Sequence, residues 1–138
     1  MEIEFSGAAR EVTGSCHILR VGGKTILLDC GLFQGRRKES EAKNLRLPLP
    51  VEEIDAIVLS HAHIDHAGRL PFLVRHGFRG NIWATAATRD LCAIMLADSA
   101  HIQEKDTEYL KRRGRDAVEP LYTVAHATRT IEQMAGLP

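Results

Sequence analysis

Three histidines and an aspartate stand within six residues in the stretch Ser60-His61-Ala62-His63-Ile64-Asp65-His66-Ala67-Gly68, directly behind the apolar run Ala56-Ile57-Val58-Leu59. Packing gives no reason for four potential metal ligands in so short a span. In an extended segment alternate side chains share a side, so His61 and His63 would face one metal ion together. A turn at Ile64 would carry Asp65 and His66 back toward the same place. Neutral imidazole and carboxylate suit zinc and similar divalent ions, and a site with too few protein ligands to close its shell leaves room for a reactive water. The block therefore reads as catalytic before it reads as structural.

The elements that must position this block alternate between strand and helix. Glu2 to Phe5 alternates polar and apolar residues as a half-buried strand does. A strand from about Cys16 to Val21, a Gly22-Gly23 turn and a returning strand from Lys24 to Asp29 make a β-meander. The run Thr25-Ile26-Leu27-Leu28 suggests burial on both faces. Gly31 to Pro50 reads as a loop with a short helix around Arg37 to Ala42, and Val51 to Ile54 as one helical turn. The strand Ala56 to Leu59 then delivers the metal block at its C-terminal end, where scaffolds commonly place chemistry. Leu70, Phe72, Leu73 and Val74 predict a helix closed by Gly77, followed by a strand from Asn81 to Ala84. Thr85 or Thr88 caps a long helix reaching Arg112, with Leu91, Ile94, Met95 and Ile102 on its apolar face. Asp98 falls on the same stripe, either facing a substrate channel or marking the stripe's polar edge. A final helix is expected from Tyr122 to Ala135.

Composition bounds the partners. With 138 residues, 44% of them hydrophobic, the chain has the size and the core of one domain. Its 18 basic and 18 acidic residues cancel, so any contact with nucleic acid has to be local. The start, Met1-Glu2-Ile3-Glu4, is unlike a signal peptide, and no apolar run approaches the roughly 20 residues needed to span a bilayer. A soluble, cytoplasmic protein without membrane contact is the expectation. Cys16, Cys30 and Cys92 are odd in number and form no C-x-x-C pair, which argues for reduced, partly buried thiols. Cys16-His17 is no nucleophile and base pair, because strand neighbours point to opposite faces. Gly23-Lys24-Thr25 lacks the glycine and the following helix of a phosphate-binding loop.

The H-x-H-x-D-H pattern after an apolar strand resembles the signature of the metallo-β-lactamase superfamily of dinuclear metallohydrolases. Gly7 to Ser15, Leu27-Leu28-Asp29-Cys30-Gly31 and Gly68-Arg69-Leu70-Pro71 narrow the likeness to the β-CASP branch, whose members are mostly RNA-processing nucleases. The resemblance implies an α/β fold, the N-terminal half of an αββα sandwich with a mixed sheet and flanking helices. It implies two zinc ions per complete site, His61 and His63 holding one, Asp65 and His66 the other. Asp65 would orient the attacking water and accept its proton. Asp29 would act behind the ligands by hydrogen bonding to the metal loop, although a strand-end aspartate also caps turns. Thr13, Gly14 and Ser15 lie in a loop that either contacts substrate phosphate or only connects strands.

The resemblance also implies features with no counterpart after His66: a further motif histidine, a bridging aspartate and a β-CASP cap domain. Residues 1–138 are therefore expected to form a partial domain with half a site, inactive alone. RNA is the implied substrate, and a homo-oligomer or a complementing C-terminal portion would complete the cleft. Hydrolysis of another ester, lactam or thioester within the same fold, and a non-enzymatic piece needing a partner chain, stand as alternatives.

Overall fold

The computed structural model describes residues 1–138. Six strands hydrogen-bond in simple sequence order: β1 (Glu2–Gly7), β2 (Cys16–Val21), β3 (Lys24–Leu28), β4 (Ala56–Val58), β5 (Ile82–Thr85) and β6 (Met134–Leu137). The first three pair antiparallel and β3 to β6 pair parallel, which makes the sheet mixed. The hairpin between β2 and β3 turns on Gly22 and Gly23, both at positive φ, the conformation that a tight two-residue turn demands.

Parallel neighbours need long crossovers, and helices supply them. α1 (Arg37–Asn44) lies between β3 and β4, α2 (Ile64–Ala67) and α3 (Leu70–Arg75) between β4 and β5, and α4 (Ala86–Arg112) and α5 (Val124–Glu132) between β5 and β6. Thr85 caps α4, its hydroxyl accepting from the Thr88 N–H at 3.2 Å.

Register divides the sheet into two unlike faces. Ile18, Leu27, Ile57, Ile82 and Met134 stand side by side across five strands, and all five are buried. Each such side chain contributes roughly 1.5–3 kcal/mol by leaving water. The neighbouring row, Phe5, His17, Leu28, Val58, Trp83 and Ala135, points to the other face. There Phe5 is 67% exposed and Trp83 36%. One face thus carries the core and the other is apolar and bare.

Three expectations about elements are corrected. The last helix stops at Glu132, and Met134 to Leu137 form β6 on the sheet edge. Pairing along the whole of β5 decides this, since the segment carries no β-branched residue to announce a strand. On α4 the buried stripe is Cys92, Leu96, Ala100, Thr107 and Leu110, whereas Leu91, Ile94 and Ile102 are exposed. Small residues let the helix lie close to its neighbours, and this outweighs the bulkier stripe. In β3 only Leu27 is fully buried, because the face of Ile26 and Leu28 has no covering layer.

Candidate metal centre

The histidine block follows β4 and folds as predicted, with an extended approach and then a turn. Residues 59–63 are irregular, and α2 begins at Ile64 with His63 as its cap residue at ψ 145. The amides of His66 and Ala67 both donate to the His63 carbonyl at 2.9 Å, closing the turn that brings Asp65 and His66 back. The His61 ring lies 4.8 Å from that of His63 and 4.0 Å from that of His66, centroid to centroid. Asp65 Oδ2 is 3.5 Å from His66 Nε2. The four predicted ligands are therefore brought together. They do not converge as a ready-made cage of three or more donors around one point, since the rings pack against one another.

Behind them lies Asp29, 6% exposed and at φ 60, a left-handed conformation that aspartate tolerates better than most residues. Its Oδ1 accepts the Ser60 N–H at 2.7 Å. Its Oδ2 accepts from the hydroxyls of Ser60 at 2.9 Å and Ser15 at 3.2 Å, and from His66 Nδ1 at 2.7 Å. A carboxylate only accepts, so His66 Nδ1 carries a proton, and in the neutral ring Nε2 is the nitrogen with the lone pair. The Ser60 hydroxyl has one proton, given to Asp29, so its 3.0 Å contact with His61 Nδ1 makes that nitrogen the donor. Both rings thus offer Nε2 for ligation, the tautomer control that a hydrogen bond behind a metal ligand exerts.

Ser60, which joins Asp29 to His61, is the member of this cluster that sequence reasoning missed. Its signal was its place, a hydroxyl at the strand end immediately before the first histidine. Of the loop residues considered for substrate contact, Thr13 accepts the Gln34 N–H at 3.0 Å, Gly14 lies on the Phe33 ring, and Ser15 turns inward to Asp29. Thr13, Gly14 and Ser15 thus all rest on residues 29–34.

Backbone bonds lock the metal loop to that same segment. Cys30 N donates to the His66 carbonyl at 2.9 Å, Leu32 N to Ile64 at 3.0 Å, and Ser15 N to Asp65 at 2.9 Å. Gly31 is obligatory, because a Cβ there would stand 1.6 Å from the Asp65 carbonyl oxygen. A groove of about 430 Å³ reaches Ile64 of the block and is lined further by Leu32, Arg37, Asp98, Ile102 and Leu121 among others.

The other four histidines stay apart. His76 Nδ1 bonds the Phe72 carbonyl, His126 Nδ1 accepts the Thr123 N–H, His17 packs edge-on to Phe5, and His101 is exposed on α4. The cysteines are all free and buried. No helix is long and apolar enough to cross a membrane.

The family model of the metallo-β-lactamase superfamily matches residues 9–124, which include the histidine block, Asp29 and the loop before β2. The chain belongs to the metallo-β-lactamase superfamily. Its mixed sheet with flanking helices is the metallo-β-lactamase fold in part, with one sheet face bare. It is 49% identical over 105 residues to Ribonuclease TTHA0252 of Thermus thermophilus, covering 76% of this chain and 24% of that protein. It is 35% identical over 113 residues to Transcription termination factor FttA of Methanococcus maripaludis, covering 81% and 18%. It is 34% identical over 135 residues to Cleavage and polyadenylation specificity factor 73 of Drosophila melanogaster, covering 97% and 18%. A ribonuclease and a cleavage factor are relatives of the kind that the β-CASP resemblance leads one to expect. The chain spans about a quarter or less of the length of these metallo-β-lactamase relatives.

Proposed function

We propose that residues 1–138 are the N-terminal, metal-binding part of a zinc-dependent ribonuclease of the β-CASP type, which hydrolyses RNA phosphodiesters with an activated water. The observation that carries the reading is the Asp29–Ser60–His66 arrangement, which presents two histidine Nε2 atoms beside a carboxylate and a third imidazole. The donor chemistry fits a borderline divalent ion: imidazole nitrogen and carboxylate oxygen, with two of the rings already fixed in the ligating tautomer. His61 and His63 would hold one zinc ion, Asp65 and His66 a second. Bound zinc acidifies water and polarises a phosphoryl oxygen. Asp65, partly exposed at the start of α2, orients the attacking water and takes its proton on a carboxylate oxygen. Asp29 and Ser60 hold the imidazoles in place and touch no reacting atom.

Removal of one ligand tests the reading. In the protein completed by its C-terminal portion, His63→Ala should abolish metal-dependent cleavage of single-stranded RNA while leaving the fold intact. Full activity in that variant would rule the reading out. Esters, lactams and thioesters offered to the same protein should be poor substrates.

A second reading is favoured by the bare sheet face and by the absence of a closed donor cage. Alone, the chain is then a non-enzymatic piece that binds metal weakly and acquires activity only with a complementing portion or a second copy. Two zinc ions retained per chain after exhaustive dialysis would contradict this.

A further inference from the structure

A pocket of about 310 Å³ is lined by Ser6, Glu11, Phe33, Lys43, Arg46 and Arg69 among others. Three cations meet one carboxylate there, in a chain whose charges cancel overall. Glu11 is already taken, by Lys43 at 2.5 Å. Arg46 is exposed and has no carboxylate partner.

Arg69 is the unusual member. It is 2% exposed, yet its guanidinium meets only neutral groups. Nε donates to the Gly31 carbonyl at 2.7 Å, and Nη1 to the carbonyls of Arg46 at 2.8 Å and Lys43 at 3.4 Å. Its carbon lies 4.8 Å from the centre of the Phe33 ring. Nη2 has no protein acceptor, and it is not sealed in, since the sealed unpartnered side-chain atoms are His17 Nδ1 and Gln133 Oε1. A buried guanidinium without a counter-ion is costly and pre-oriented for one. The planar fork with a spare nitrogen, a second arginine and the Ser6 hydroxyl match tetrahedral phosphate, which arginine binds through paired hydrogen bonds.

We infer that this pocket is a phosphate subsite that grips the RNA backbone one linkage or more from the cleaved bond. The inference rests on the RNA reading above. The route to the metal loop is short: Arg69 bonds Gly31, and Gly31 packs directly on the Asp65 backbone. The charge of a phosphate held there offsets Arg69.

The test is binding of a labelled single-stranded oligouridylate to the whole chain in EDTA, followed by fluorescence anisotropy across salt concentrations. Arg46→Gln, at an exposed position, should weaken binding about 3- to 10-fold and reduce the salt slope by about 0.7, the loss of one phosphate contact on a single strand. Glu11→Gln releases Lys43 and should tighten binding, a gain that misfolding cannot produce. Arg129→Gln on α5 should change nothing. Wild-type binding that neither pocket variant alters would overturn the subsite and leave the RNA reading intact. Failure to bind oligouridylate, with inorganic phosphate still shifting the Arg69 side-chain resonance, would overturn the RNA assignment and leave a small-anion pocket. Binding of polyglutamate in place of RNA would overturn the phosphate chemistry.

Discussion

The Asp29 carboxylate accepts a hydrogen bond from His66 Nδ1 at 2.7 Å across 37 residues of chain. It joins the end of β3 to the turn that follows β4, so the strand pairing of the sheet aligns the ring. Asp29→Ala should leave the fold recognisable by circular dichroism and weaken zinc or cobalt binding by about 10- to 100-fold, the usual cost of losing a group that orients a metal ligand. A chelator competition titration checks this, and equal affinities would show that His66 needs no support.

Gly31→Ala should be far more damaging than its size suggests. The added carbon would overlap the Asp65 carbonyl oxygen at 1.6 Å, and neither partner is a flexible side chain. We expect a loss of about 3 kcal/mol, the upper end of overpacking costs, in urea unfolding. A stability within experimental error of the parent would mean that the metal loop shifts at little cost.

Alkaline pH should destabilise the fold. Burial pushes the Cys92 thiol up from 9.0 to about 11 and the Tyr122 phenol from 10.0 to about 12, while Cys16 is raised by its hydrogen bond to Cys30 and by burial. The unfolded chain releases these protons first, so the contribution of these groups is constant below about pH 9 and falls as pH rises toward 12. Denaturation midpoints across that range measure the slope. In native protein at neutral pH the three thiols should resist a thiol reagent and react together on unfolding.

Acid should loosen α5. His126 Nδ1 accepts the Thr123 N–H at 3.0 Å, and its pKa is lowered by burial first and by Arg129, Arg75 and His76 next. With the folded value below the unfolded 6.5, this contribution is present above pH 6.5 and is lost as pH falls through the folded value. Amide exchange at Thr123 should quicken over that interval, and His126→Gln should flatten the response.

The bare face of the sheet should govern solubility. Phe5→Ser with Trp83→Thr removes two exposed aromatics that lie in one cross-strand row. Binding of a hydrophobic dye and light scattering should both drop, with less than about 1 kcal/mol lost, since neither ring is buried. Trp83 is the single tryptophan, so its emission in the parent protein would shift to the blue whenever a partner sheet covers it.

The histidine block was legible in the residues themselves. H-x-H-x-D-H after Ala56 to Leu59 placed three histidines and one aspartate on a strand end and a turn, because residue identity and close spacing are local properties. The meander, the Thr85 cap and the reach of α4 followed for the same reason, being set by glycines, caps and periodicity within one segment. Three matters waited for the tertiary structure. β6 exists because Met134 to Leu137 lie beside β5, and α4 buries its small stripe because its neighbours come close there. Ser60 and Arg69 matter through partners 31 and 38 residues away in Asp29 and Gly31. Donor atoms and turns are written in neighbouring residues, whereas register, burial and the partner of a buried charge depend on which distant segments meet.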